Sequence, residues 1–181
     1  IVLDNPRFFA RERKKNKWRI IVAIDESGSM MESIIYSAVI ASIFASLPSI
    51  KTNLVIFDTE VVDLTEEVGD PVDILMKVTL GGGTDITKCL KYVRSLITNP
   101  RRTLIILITD FYEGNSYHNL DEQIIHIKES GAHLLGIGAL SRSARPVFNR
   151  DYARKLNKMG IDVIACTPEK LAPIVAKIIE S

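Results

Sequence analysis

The sequence predicts an α/β sandwich: a mostly parallel central sheet with one short antiparallel edge strand and helices on both faces. Two observations lead there. Short apolar, β-branched runs recur along the chain, and stretches of helical periodicity separate them. The runs are continuous rather than alternating, as in strands covered on both faces. A third observation adds the exception: one short run follows the second strand too closely for a helical crossover.

The elements follow in chain order. "WRIIVAI" at 18–24 reads as the first strand. "MMESIIYSAVIASIFASL" after it places apolar residues around most of a cylinder, which predicts a well-buried helix ending before Pro48. "NLVIF" at 53–57 is the second strand, and "VVDL" at 61–64 is its hairpin partner at the sheet edge. "DITKCLKYVRSLI" is amphipathic, with Ile86, Leu90, Val93 and Ile97 on one face. "TLIILIT" at 103–109 is the next strand, and "LDEQIIHIKESG" a helix stopped by Gly131. "HLLGIG" at 133–138 and "DVIAC" at 162–166 are the last two strands, with "NRDYARKLNKMG" a helix between them. The final helix opens with Thr167 as cap and Pro168 in its first turn.

The 181 residues suit one domain with a proper core, and the 46% hydrophobic and 25% charged content is ordinary for a globular fold. No apolar stretch approaches the roughly 20 residues of a membrane span. No signal peptide is visible, since the opening "RFFARERKK" lacks a following apolar core. A first residue that is not methionine leads us to expect a longer chain. Cys89 and Cys166 lack metal or redox spacing and read as reduced thiols in a cytoplasmic protein.

The net charge of +1 hides an asymmetry: residues 1–19 carry +5, so the remainder carries −4. Residues 1–16 therefore read as a basic linker or the tail of a preceding region, and 17–181 as the domain. A basic arm can bind nucleic acid, but no aromatic residues are interleaved at base-stacking spacing.

In open α/β sheets, ligands bind in the crevice at the carboxyl ends of the strands. Three segments bring oxygen donors to that edge. The first strand runs into "DESGS", with Asp25, Ser27 and Ser29 at alternate positions. The loop "LGGGTDI" offers Thr84 and Asp85 behind three glycines, and "ITD" ends a strand at Asp110. A locally extended segment would point Asp25, Ser27 and Ser29 the same way. Carboxylate, hydroxyl and water oxygens are what a hard divalent cation prefers, and magnesium accepts only one or two carboxylates. A plain strand-to-helix turn needs one capping oxygen, not three.

These residues carry a resemblance. The chain is similar to von Willebrand factor type A domains, which share a Rossmann-like sandwich and a metal-ion-dependent adhesion site. That site is a DxSxS motif with a distant threonine and aspartate, and Asp25, Ser27, Ser29, Thr84 and Asp110 fill the five positions. "IFDTEVVDLTEEVGDPVDIL", "LGGGTDI" and "ITDFYEG" further resemble bacterial CoxE-like members associated with MoxR-type AAA+ ATPases. The resemblance implies a Mg2+ site, with Mn2+ or Ca2+ as substitutes, that binds a carboxylate of a protein partner. The partner would be a MoxR-type AAA+ ATPase or its client. Asp85 and Glu113 stand beside the site, Asp85 as helix cap or outer acceptor and Glu113 as a rim residue or a shield. Asp58 reads as a turn residue.

Enzymatic readings fail on specific positions. A haloacid-dehalogenase-type phosphotransferase needs an aspartate where Ser27 stands, and a response-regulator-like site needs a lysine that Gly138-Ala139-Leu140 does not supply. "DESGS" has Asp25 and Ser29 where a serine-hydrolase elbow needs glycines. No phosphate-binding P-loop occurs, and His118, His126 and His133, read as lying on a loop, a helix and a strand start, have no triad or zinc spacing. The chain is expected not to be an enzyme. An RNA-associated scaffold, drawing on the basic arm, is the alternative.

Overall fold

The computed structural model describes residues 17–30, 33–45, 50–67, 82–141, 143 and 145–180. Its strands are β1 (Trp18–Asp25), β2 (Ile50–Phe57), β3 (Val61–Asp63), β4 (Thr103–Thr109), β5 (His133–Gly138) and β6 (Asp162–Ile164). Its helices are α1 (Ile34–Ala45), α2 (Ile86–Ser95), α3 (Tyr117–Ser130), α4 (Arg150–Lys158) and α5 (Pro168–Glu180). The strands form one sheet in the order β3-β2-β1-β4-β5-β6. Every pair is parallel except β2 with β3, where Phe57 opposes Val61. The expected antiparallel edge strand is therefore present.

Two cores explain the continuous apolar runs. Ile20, Val22 and Ile24 of β1 face α1 and α5, packing with Ala38, Phe44, Leu171 and Val175. Ile21 and Ala23 face the other way, into Ile86, Leu90 and Val93 of α2, Leu120 and Ile124 of α3, and Leu156 of α4. Each fully buried Ile, Leu or Phe side chain contributes roughly 1.5–3 kcal/mol. A strand with one polar face would forfeit half of this.

The structure differs from the sequence reading at several ends. The helix expected to be well buried has its described side chains buried or half-buried, except that Val39 of α1 is exposed. β6 stops at Ile164, before Cys166, because its pairing with β5 runs only from Asp162 to Ile164. His118 lies in the first turn of α3, not on a loop. The basic segment 1–16, Pro48 and Gly81 lie outside the described residues.

β1 is the topological switch point. It pairs with β2 on one side and β4 on the other, and the connections leaving β1 and β4 pack on opposite faces. The backbone parts between β1 and β4, opening a crevice at their carboxyl ends.

Candidate metal centre

Asp25 closes β1, and Ile24 pairs with Ile108, so Thr109 arrives alongside it. The Thr109 hydroxyl donates to Asp25 Oδ2 at 2.5 Å, and the Ser27 N–H donates to Oδ1 at 2.9 Å. Asp25 is 2% exposed. Beyond it the chain is not extended as expected, for Gly28–Met30 forms a 3-10 turn. Strand alternation therefore does not align the two serines. The tight turn does so instead, leaving their Oγ atoms 3.2 Å apart.

The glycine loop reaches this turn through the Gly28 N–H, which donates to the Gly82 carbonyl at 3.2 Å. Asp58, just after β2, holds the same loop. Its Oδ2 accepts from the Gly82 N–H at 3.0 Å, its Oδ1 from the Glu60 N–H at 2.7 Å, and its carbonyl from the Asp85 N–H at 2.8 Å. Thr84, half-buried, is fixed from the other side, its carbonyl accepting from the Gly114 N–H at 2.9 Å. A Cβ at Gly114 would lie 2.3 Å from that oxygen, so only glycine permits the approach.

Asp110, 3% exposed, follows β4. Its Oδ1 accepts from the Tyr112 N–H at 3.1 Å, and its carbonyl accepts from the Asn149 N–H at 2.8 Å. Between them Phe111 adopts a left-handed φ of 60°, a conformation costing roughly 1–2 kcal/mol. Three contacts hold it there: its N–H donates to Thr109 Oγ1 at 3.1 Å, its carbonyl accepts from the Tyr117 hydroxyl at 3.0 Å, and its ring meets Phe148 edge-on at 6.4 Å.

Asp25, Ser27, Ser29, Thr84 and Asp110 thus stand on three stitched loops at one sheet edge. Burial pushes the Asp25 carboxyl up to about 6; hydrogen bonds from Ser27 and Thr109 pull it down, and the Asp110 charge pushes it up again. Asp85 and Glu113 serve α2. Asp85 Oδ1 accepts from the Lys88 N–H at 2.7 Å, and Asn115 donates to its Oδ2 at 2.8 Å. Glu113 accepts from the Ile86 N–H at 2.9 Å and the Thr87 hydroxyl at 3.1 Å, while burial raises its carboxyl. Both carboxylates cap the first turn of that helix.

The sequence reading missed Glu26 and the Asp58 tie. Glu26 is 5% exposed, and among the described residues neither carboxylate oxygen has a hydrogen-bond partner. Burial pushes its carboxyl up to about 7, with the Asp25 and Asp58 charges adding to the shift. The signal was present: an acidic residue inside a motif that ends a buried strand.

A family profile for VWA domain containing CoxE-like proteins matches residues 4–175. The chain belongs to that family. It is 44% identical over 182 residues to protein YehP of Escherichia coli (strain K12), and spans 48% of that relative's length. Among solved structures, the VWA domain resembles an aerotolerance-related membrane protein from Bacteroides fragilis (TM-score 0.69, 14% identity, 90% of this chain and 98% of that one). It also resembles the manganese-loaded TRAP protein of Plasmodium vivax (TM-score 0.71, 18% identity, 90% and 73%) and BatB from Bacteroides thetaiotaomicron (TM-score 0.63, 16% identity, 91% and 100%). At these identities the likeness is one of fold.

The VWA residues themselves bear on a cation. Among the described residues no three His, Cys, Asp or Glu side chains gather as a ligand cluster. The donors on this edge are instead two carboxylates and three hydroxyls, a set suited to a hard ion that keeps some water. The buried Glu26 carboxyl is a second fit, since among the described residues nothing donates to it. Among the described residues, no helix is long and apolar enough to cross a membrane.

Proposed function

We propose that this VWA domain is a metal-dependent protein-protein interaction module, not an enzyme. Asp25, Ser27, Ser29, Thr84 and Asp110 would hold a Mg2+-type cation, directly or through water, with Mn2+ or Ca2+ as substitutes. When bound, such an ion supplies a Lewis-acidic point that a partner's carboxylate can complete. The observation that carries the reading is that buried Asp25 and Asp110 follow adjacent, paired strands, with the Ser27 and Ser29 hydroxyls 3.2 Å apart in the turn just after Asp25. The manganese in TRAP, a protein of the same fold, supports a divalent ion.

The chain's own residues prepare the site. Thr109 and the Ser27 N–H aim Asp25 before any ion arrives. Phe111 and Asn149 set the position of Asp110, and Gly114 and Gly82 hold the Thr84 loop. With hydroxyl and water oxygens filling much of its shell, the ion would keep a coordination position that a partner's carboxylate can take. Family membership supports a partner in an AAA+ ATPase-linked assembly or maturation system, a MoxR-type ATPase or its client, in the cytoplasm. The family match and the structural neighbours do not favour the RNA-scaffold alternative.

Thermal melts test the site: wild type should gain stability when millimolar Mg2+ or Mn2+ replaces EDTA, and Asp110→Ala should not. Capture of an acidic partner should be lost in EDTA. Capture indifferent to EDTA would sink the interaction mechanism.

A further inference from the structure

Three acidic residues stand at the carboxyl edge of β1 and β2. Asp25 ends β1, Glu26 follows it, and Asp58 follows the end of β2. The Glu26 N–H donates to the Phe57 carbonyl at 2.8 Å, which roots Glu26 directly beside Asp58. Of the six carboxyl oxygens, four have donors. Asp25 takes the Ser27 N–H and the Thr109 hydroxyl, and Asp58 takes the Glu60 and Gly82 N–H groups. The two without are both on Glu26, and both are sealed from water.

A buried carboxylate without donors or a cation is strongly unfavourable, and Asp25 and Asp58 place charge of the same sign near Glu26. Among the described residues, nothing supplies a hydrogen bond to the Glu26 carboxylate. A positive charge near Asp25 would satisfy the ionised form without contact, because Coulomb attraction is long-ranged in a poorly screened interior.

We propose that Glu26 is an unrecognised member of the cation site, a buried counter-charge that raises affinity for a divalent ion without ligating it and destabilises the protein when that ion is absent. The proposal rests on the cation reading above. It assigns opposite signs to two measurable effects, because removing the charge relieves the empty protein and weakens the filled one. A merely structural Glu26 would not produce that split.

The test is Mn2+ binding by electron paramagnetic resonance, with thermal melts in EDTA, for wild type, Glu26→Gln and Glu26→Met. Glu26→Gln keeps the shape without the charge, and Glu26→Met also removes the polar group. The expected result is Mn2+ affinity lower by on the order of tenfold to a hundredfold in both variants, with melting temperatures in EDTA equal to or above wild type. Unchanged Mn2+ affinity in a folded variant overturns the role of Glu26 and leaves the cation site standing. Lower stability in EDTA, or loss of the fold in both variants, shows a structural carboxyl and also overturns it. Absence of Mn2+ binding in wild type removes the cation reading itself, and the Glu26 proposal with it.

Discussion

Asp25 and Glu26 give the metal-free protein an unusual response to pH. Burial first, then neighbouring acids, lifts their carboxyls from ordinary values of 3.8 and 4.5 to about 6 and about 7. A group raised in the folded state binds its proton more tightly there, so it favours folding at low pH and ceases to do so as pH climbs through the folded value. The acids lowered by folding, Asp63 and Glu169, titrate below this range. In EDTA the melting temperature should therefore fall between about pH 5 and pH 7.5. Saturating Mg2+ should shrink or reverse that fall, because the ion needs ionised carboxylates. A metal-free melting temperature that rises over the same interval would contradict the burial of these two acids. Gly114 offers a second check. Its missing Cβ would stand 2.3 Å from the Thr84 carbonyl, so Gly114→Ala should cost about 1–3 kcal/mol in urea unfolding.

Helix α2 separates donors that serve the fold from those that would serve an ion. Asp85 and Glu113 both spend oxygens on its first turn. Asp85→Ala should cost about 0.5–2 kcal/mol of stability while leaving Mn2+ affinity near that of wild type. Thr84→Ala, one position earlier, should do the reverse. Isothermal titration beside chemical denaturation of both variants measures each effect, and matching losses of affinity would place Asp85 among the ligands. Element ends were also where sequence pattern was least informative. The period of α1 could not show that Val39 would be left outside. β6 could not announce its end at Ile164, because that end is set by where pairing with β5 stops.

The folded chain links these local events, since loops from β1, β4 and the α2 approach meet only when the sheet is complete. A cation bound only to the native state should raise the stability of the whole domain. At about 100 times its dissociation constant the gain is roughly 2.7 kcal/mol. For a domain of this size that corresponds to a rise of roughly 5–10 °C in Tm, readable by calorimetry. One cooperative transition should shift as a unit, because the donors are drawn from both sides of β1.

Much was legible in the chain alone. The apolar runs, their two-faced character and the short hairpin prescribed a parallel sheet with one reversed edge, because burial pattern is a local property of residue type. Asp25, Ser27, Ser29 and Asp110 could be placed at one edge for the same reason, because strand ends are readable, whereas Thr84 stood out by the glycine loop before it and joined them through the family resemblance. Other features depended on distant partners. The two serines meet through a 3-10 turn rather than an extended strand, and Asp58 holds a loop 24 residues further on. Glu26 is in trouble only because the folded sheet shuts out water and sets Asp25 and Asp58 beside it. Hydrogen-bond satisfaction and charge crowding belong to the packed neighbourhood, and no stretch of sequence contains its own neighbourhood.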